Sequence, residues 1–446
     1  MGKKHYSVGL WDIKTMFKCS VVMFLIGGLV TLSFYYRNNN QEAINSKDKV
    51  TLSTMTTSKI TNDDENTNRI TITKTNKRVF DHQRRLKLAP LSLTDTCDLF
   101  SGRWVHDNNS HYPLYKEDEC PYLLGDLACL TYGRKDSKYQ QWRFDGKAIV
   151  ERLKGKRLLF IGDSVNRNQW DSMMCMLHSS IPGKKKVSLG GTLNNTLYTF
   201  RAIDYNISID YYWAPMLVES NGDDPSNHRL DHRIIRIKAI EKHARHWVDA
   251  DILVFNTYLW WKLPIIKLLK SPGSLLGGPN QVYDEIDNLR AYKKVLETWS
   301  KWVHIHIDPA KTKMFFMGLT ATHSRAKDWG GKKHGSCYNE TEPVMEDGFW
   351  ESGTNQQMLQ ILESLLSKLK AKGVNVQLIN ITQLTQYRKD AHPSVHRKLW
   401  SPLTDAQKKN PESVSDCTHW CLPGVPDIWN ELLLAYIFPI NPPTNK

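Results

Sequence analysis

The sequence has no Cys-x-x-Cys pair, no nucleic-acid-binding fingerprint and no gathering of its basic residues into one patch. The first absence removes the usual spacing of a zinc module. The other two remove the ordinary explanation for a formal charge of +14, because polynucleotide binding needs cations collected on one face. The charge is read instead as a solvated surface, with an acidic glycan as the lesser alternative. Residues 37–93 have little that could form a core and are rich in Asn, Thr, Lys and Ser, so a flexible stem is expected there. What remains is ample: a chain of 446 residues, 40% of them hydrophobic, can bury the core of one large domain or two ordinary ones.

Residues 19–36 read CSVVMFLIGGLVTLSFYY, without a charge, and approach the length needed to span a bilayer. Lys3, Lys4, Lys14 and Lys18 precede the run and Arg37 alone follows closely. The positive-inside rule therefore puts 1–18 in the cytosol and the rest in a lumen, a single-pass type II topology. A cleaved signal peptide is the competing reading, but no small-residue cleavage pattern follows the run. A lumenal address makes cysteine pairing the default for Cys97, Cys120, Cys129, Cys175, Cys337, Cys417 and Cys421, an odd set that must leave one thiol over. Glycosylation sequons at Asn108, Asn194, Asn206, Asn339 and Asn380 fit the same address.

Short apolar runs at 157–161, 251–255, 313–317 and 375–379 have the composition of strands buried on both faces of a parallel sheet. Between them, 284–302 and 355–372 carry apolar residues at helical spacing, and 427–437 follows Pro426 as a closing helix. This alternation predicts an α/β, doubly wound parallel sheet over 147–446, whose sites form at the carboxyl ends of the strands. Residues 94–146 are turn-rich, with three cysteines and many aromatics, and are expected to form a small lobe stapled to the main one.

The first strong strand runs into Gly162, Asp163 and Ser164. A serine there stands at the rim of the sheet, and backbone N–H groups at the start of a following helix are placed to hold an oxyanion. A serine hydroxyl needs a base to take its proton. The segment DCTHWC offers one: Asp416 and His419 are three residues apart, so the carboxylate can hold the ring's Nδ1 proton and leave Nε2 for Ser164. Cys417 and Cys421 would pin that loop; zinc held by Cys417, His419 and Cys421 is the minor alternative, and a structural histidine another. No metal is expected. Arg167 is a candidate for oxyanion or carbohydrate contact, with a surface salt bridge as the equal alternative.

These residues resemble the plant trichome-birefringence-like proteins, which combine Gly-Asp-Ser with a C-terminal Asp-x-x-His. The likeness extends to CDLFSGRW (Cys97 to Trp104), PLYKEDECPYL (Pro113 to Leu123), YQQW (Tyr139 to Trp142), DILVFNTYLWW (Asp251 to Trp261) and DCTHWCLPGVPDIWNELL (Asp416 to Leu433). It implies a GDSL/SGNH-like fold and a Golgi membrane enzyme that transfers acetyl groups to a cell-wall polysaccharide. Ser164 would be the acetylated nucleophile, His419 the base and Asp416 its orienting acid. YYWAP at Tyr211, EKHAR at Glu241 and NTYLWW at Asn256 look most like the xylan-acetylating branch. Trp260 and Trp261 become candidates for sugar stacking, against the commoner role of paired aromatics in a core.

In one place the sequence departs from that family's pattern. The family's Asp-Leu-Pro-Arg-Phe stretch and its cysteine are missing after Arg143. The resemblance therefore implies that Cys97 is the thiol left unpaired, with Cys120, Cys129, Cys175, Cys337, Cys417 and Cys421 bonded. No bound cofactor is expected, although an acetyl donor, acetyl-CoA or another, is required. A polysaccharide acetylesterase and a non-catalytic glycan-binding protein are the rival readings.

Overall fold

In a computed structural model the described residues are Phe100, Trp104 and 113–140, 150, 153–181, 187–191 and 196–438, leaving out 229, 271–275, 277–280, 332–333, 352 and 400. The predicted anchor at 19–36, the stem, Cys97, Asn108 and Asn194 lie outside them. No helix among the described residues is long and apolar enough to cross a membrane.

The main sheet is built from β1 (Arg157–Gly162), β2 (Val187–Gly191), β3 (Leu197–Ala202), β4 (Ile207–Trp213), β6 (Ile252–Phe255), β9 (Lys313–Met317) and β10 (Val376–Ile379). Their order is β10-β9-β6-β1-β4-β3-β2. A second sheet joins β5 (Arg233–Ile235), β7 (Ile265–Leu269) and β8 (Tyr283–Asp287). All four apolar runs picked out in the sequence become parallel strands of the main sheet, and the residues of β6 are buried throughout. The expected all-parallel sheet is corrected at one end: β3 pairs antiparallel with both β4 and β2, so the sheet is mixed. The cause is local. A single 3-10 turn, Ile203–Tyr205, and Asn206 at φ 52° join β3 to β4, and so short a link makes a hairpin, never a crossover.

Four long helices flank the sheet: α1 (Ser164–Ser180), α2 (Asn288–His306), α3 (Gln356–Ala371) and α4 (Val425–Ile437). α2 starts later than its apolar spacing suggested, because 283–287 is drawn into β8 and the Asp287 carboxylate caps Arg290 N–H at 2.9 Å. Successive side chains of a strand point to opposite faces. Phe316 of β9 packs edge-on against Trp299 of α2 at 5.2 Å, while its neighbour Met317 accepts a hydrogen bond from Gln169 of α1. Helices therefore cover both faces, as a doubly wound fold requires. Trp299 is fully buried, and truncating it to alanine is expected to cost roughly 3–5 kcal/mol.

Residues 113–140 have no regular structure beyond turns and 3-10 helix; they bury Tyr115, Leu127 and Tyr139 and are held as well by covalent and polar ties. Cys120 bonds Cys175 of α1, Cys129 bonds Cys421, and Tyr115 Oη–H donates to Asp427 of α4 at 3.1 Å. With Cys337–Cys417, all six predicted bonding cysteines are paired. Each link closes a long loop, which restricts the unfolded chain most.

Candidate active site

The carboxyl ends of the parallel strands share one rim, and β1 lies between β6 and β4 where the winding reverses direction. That reversal opens a crevice. Gly162 ends β1 there, and no other residue fits: a Cβ would lie 2.4 Å from the Asn256 carbonyl oxygen at the tip of β6. Asp163, fully buried, caps α1 by accepting from Val165 N–H at 2.9 Å, and its other oxygen accepts from Leu259 N–H at 3.4 Å. Burial raises its carboxyl, opposed by those N–H donors. Ser164 follows as the first residue of α1.

His419 reaches the same point from the far end of the chain. Its Nε2 is 2.8 Å from Ser164 Oγ and its Nδ1 is 2.8 Å from Asp416 Oδ2. The other Asp416 oxygen accepts from the N–H groups of Thr418 and His419, both at 3.0 Å, so one carboxylate both folds the loop and orients the ring. Burial would raise the Asp416 carboxyl; the charge and hydrogen bonds of His419, with the two backbone donors, outweigh it and hold the group well below the carboxylate range. Burial likewise works to lower His419, and Asp416 reverses the sign, leaving the imidazole raised. Such an array can move a proton off a serine and onto a leaving group.

The loop is held on three sides. Cys417 is bonded to Cys337 and Cys421 to Cys129, so neither sulfur is free for the zinc alternative. The Asn168 amide of α1 brackets Trp420, accepting its N–H at 2.7 Å and donating to its carbonyl at 3.2 Å. Sequence reasoning missed Asn168; its place one helical turn beyond Ser164 was the available signal.

Other candidates are placed differently. Asn256 is buried beside Gly162, its Oδ1 without a hydrogen-bond partner among the described residues. Among the described residues Arg167 forms no salt bridge: its guanidinium lies over the Tyr198 ring at 5.2 Å, and its field opposes the burial that pushes Asp171 up to about 8. Trp260 and Trp261 are corrected to core residues. Trp261 is 0% exposed and donates to Thr257 Oγ1, while Trp260 lies under the Arg233 guanidinium and packs on Trp213 and Gly222. An indole gains more from full burial than from an exposed sugar platform. Asn206 and Asn339 are exposed; Asn380 is half-buried and accepts Thr382 N–H at 3.3 Å.

Beside Thr418, and so beside the histidine, opens a cavity of about 540 Å³ walled by Tyr258, Lys262, Ser324, Arg325 and Asn355 among others. Lys262 donates to Thr322 within it. Hydroxyls, amides and cations together suit a polyhydroxylated ligand.

Residues 142–436 match the model of PC-Esterase, described as a GDSL/SGNH-like acyl-esterase family found in Pmr5 and Cas1p, and residues 95–148 match the PMR5 N-terminal domain. The chain is similar to protein trichome birefringence-like 34 of Arabidopsis thaliana, 49% identical over 76% of this chain and 84% of that protein. Protein trichome birefringence-like 35 of the same plant is 46% identical over 76% of each. Xylan O-acetyltransferase 14 of Oryza sativa subsp. japonica is 45% identical over 76% of this chain and 77% of its own length.

Proposed function

The chain belongs to the GDSL/SGNH-like acyl-esterase family found in Pmr5 and Cas1p, and from that premise we propose that it is an O-acetyltransferase acting on a cell-wall polysaccharide, xylan first. The observation that carries the reading is the hydrogen-bonded line from Ser164 through His419 to Asp416, in a chain whose relatives include proteins named xylan O-acetyltransferases. Ser164 Oγ attacks the acetyl carbonyl of the donor while His419 Nε2 takes its proton. The intermediate collapses, the donor's leaving group departs with the proton from His419, and an acetyl-serine ester remains. A sugar hydroxyl in the neighbouring polar cavity then gives its proton to His419 and attacks the ester. Ser164 leaves and regains a proton from the imidazolium. The buried backbone around Gly162 and Asn256 is the proposed cradle for the oxyanion of both steps.

The predicted anchor and stem suit a type II protein of the Golgi membrane with the catalytic domain in the lumen. The donor, acetyl-CoA or another, stands as a required co-substrate.

The family's description as acyl-esterases favours one second reading, in which water takes the place of the sugar. Incubation with an acetyl donor and a xylo-oligosaccharide separates them by mass spectrometry. Acetylated oligosaccharide is expected; free acetate with unmodified sugar would convert the reading to esterase.

A further inference from the structure

Behind the catalytic loop two buried imidazoles stand in series between two carbonyl groups. His392 Nδ1 is 2.7 Å from the His419 carbonyl oxygen, His392 Nε2 is 2.7 Å from His323 Nδ1, and His323 Nε2 is 3.0 Å from the Gln386 carbonyl oxygen. A carbonyl oxygen only accepts, so both outer nitrogens must carry hydrogen. Two neutral imidazoles would then be used up, and two bare lone pairs would face each other at the inner contact. Three N–H groups satisfy the whole chain, and two imidazoles with three N–H groups carry one positive charge.

We propose that His323 and His392 share this one proton as a buried imidazole–imidazolium pair balanced by Glu351, and that the pair positions His419 and tunes its basicity.

Two features support a cation here. Glu351 Oε2 lies 3.6 Å from His323 Nε2 and has no hydrogen-bond partner of its own among the described residues. The Trp420 ring lies over His392 with centroids 4.2 Å apart, a contact that favours positive charge. The pair is also built into the loop it serves: His323 N–H donates to the Cys417 carbonyl at 3.1 Å, and Glu351 N–H donates to Gln386 Oε1 at 3.0 Å. Burial opposes the charge, pushing His392 down to about 4 and His323 well below the usual histidine value. Asp416 and Asp390 favour it from one side, while Arg134, Lys389 and Lys262 oppose it. Burial also pushes Glu351 up to about 7, with Asp328 adding and Lys262 and Arg325 opposing. The shared hydrogen bond and the near carboxylate are what hold the proton against burial and these cations.

The effect on His419 rests on the function proposed above; the proton count does not. NMR of the full chain with selectively 15N-labelled histidine, over roughly pH 5.5 to 7.5, is expected to show one strongly deshielded, slowly exchanging imidazole proton and three protonated nitrogens for the pair. Two neutral rings in the wild type would overturn the proposal whether or not the protein transfers acetyl. In His323→Gln the amide can donate to His392 Nε2, so the chain closes without a charge and the deshielded proton is lost. The acid limb of its kcat/KM profile is expected to move to higher pH, because removing a cation makes His419 easier to protonate. About tenfold is lost on the acid side, equivalent to roughly one pKa unit, with the alkaline plateau kept. An equal loss at every pH would reduce the pair to scaffolding. If that variant does not fold, Glu351→Gln supplies the second test: the deshielded proton is expected to titrate away at lower pH than in the wild type, and an unchanged titration would remove Glu351 as the counter-ion.

Discussion

Ser164 and His419 are 255 residues apart in the chain, yet Oγ and Nε2 meet at 2.8 Å. The contact joins the first turn of α1 to a loop just before α4, and α1 and α4 pack against each other through Asn430, which donates to Gln169 and Ser172.

Removing the hydroxyl or the orienting carboxylate should stop transfer without unfolding the protein. Ser164→Ala and Asp416→Asn are each expected to lower kcat by roughly 10³- to 10⁴-fold. In the second, the amide can still accept from Thr418 N–H but faces His419 with a donor, which favours the wrong tautomer. Peptide mass spectrometry after incubation with donor should find acetyl on Ser164; finding it elsewhere would remove Ser164 as nucleophile.

His419 must be neutral to act as base, and its pKa lies above the ordinary histidine value because Asp416 outweighs burial. Activity should therefore rise with pH through a value above about 6.5. In Asp416→Asn the raising partner is gone, so the acid limb of the residual activity should fall to lower pH. An unmoved limb would detach His419 from the titration.

The same couple makes stability depend on pH. The depressed Asp416 pKa contributes stability above about 4 that is lost as pH falls; the raised His419 pKa contributes stability below about 6.5 that is lost as pH rises through its folded value. Wild type and Asp416→Asn should thus differ most in melting temperature between roughly pH 4 and 6.5.

Cys337→Ser with Cys417→Ser opens the link beside Asp416. The expected cost is about 2–5 kcal/mol in stability, read by denaturant titration, together with a fall in kcat larger than any change in KM. Full kcat in the folded variant would show that the loop holds its shape without the bond.

Gly162→Ala puts a methyl group 2.4 Å from the Asn256 carbonyl. Strand tips that flank Ser164 must separate, so activity should fall by about 10²-fold while far-UV circular dichroism stays near native.

Arg325 lines the cavity next to Thr418. Arg325→Ala is expected to raise KM for the oligosaccharide several-fold and to leave the rate of acetyl-serine formation unchanged. A slower acylation would move the donor, instead of the acceptor, into that cavity.

Much of this was legible in the chain. Runs such as Ile252 to Phe255 read as buried strands, because an uninterrupted apolar tetrad has no solvent-facing side and is too short for a helix of ordinary length. Gly162, Asp163 and Ser164 after such a strand, and Asp416 three residues before His419, stood out as candidates by residue type and spacing. The indoles of Trp260 and Trp261 advertised two roles at once, and only packing chose the core. Residues 197–213 gave no hint of an antiparallel hairpin, since the turn at Asn206 carries no glycine to mark it.

By itself the sequence determined what each segment could do: which runs must be buried, which serine can be raised at a strand tip, and which carboxylate can hold which ring. Only the tertiary structure decided who meets whom. Periodicity and local spacing act over a few residues, whereas the Ser164–His419 contact, the three disulfide pairings and the His323–His392 chain depend on how distant elements stack across the sheet. That stacking is selected by the burial of the whole core at once, and no single segment carries it.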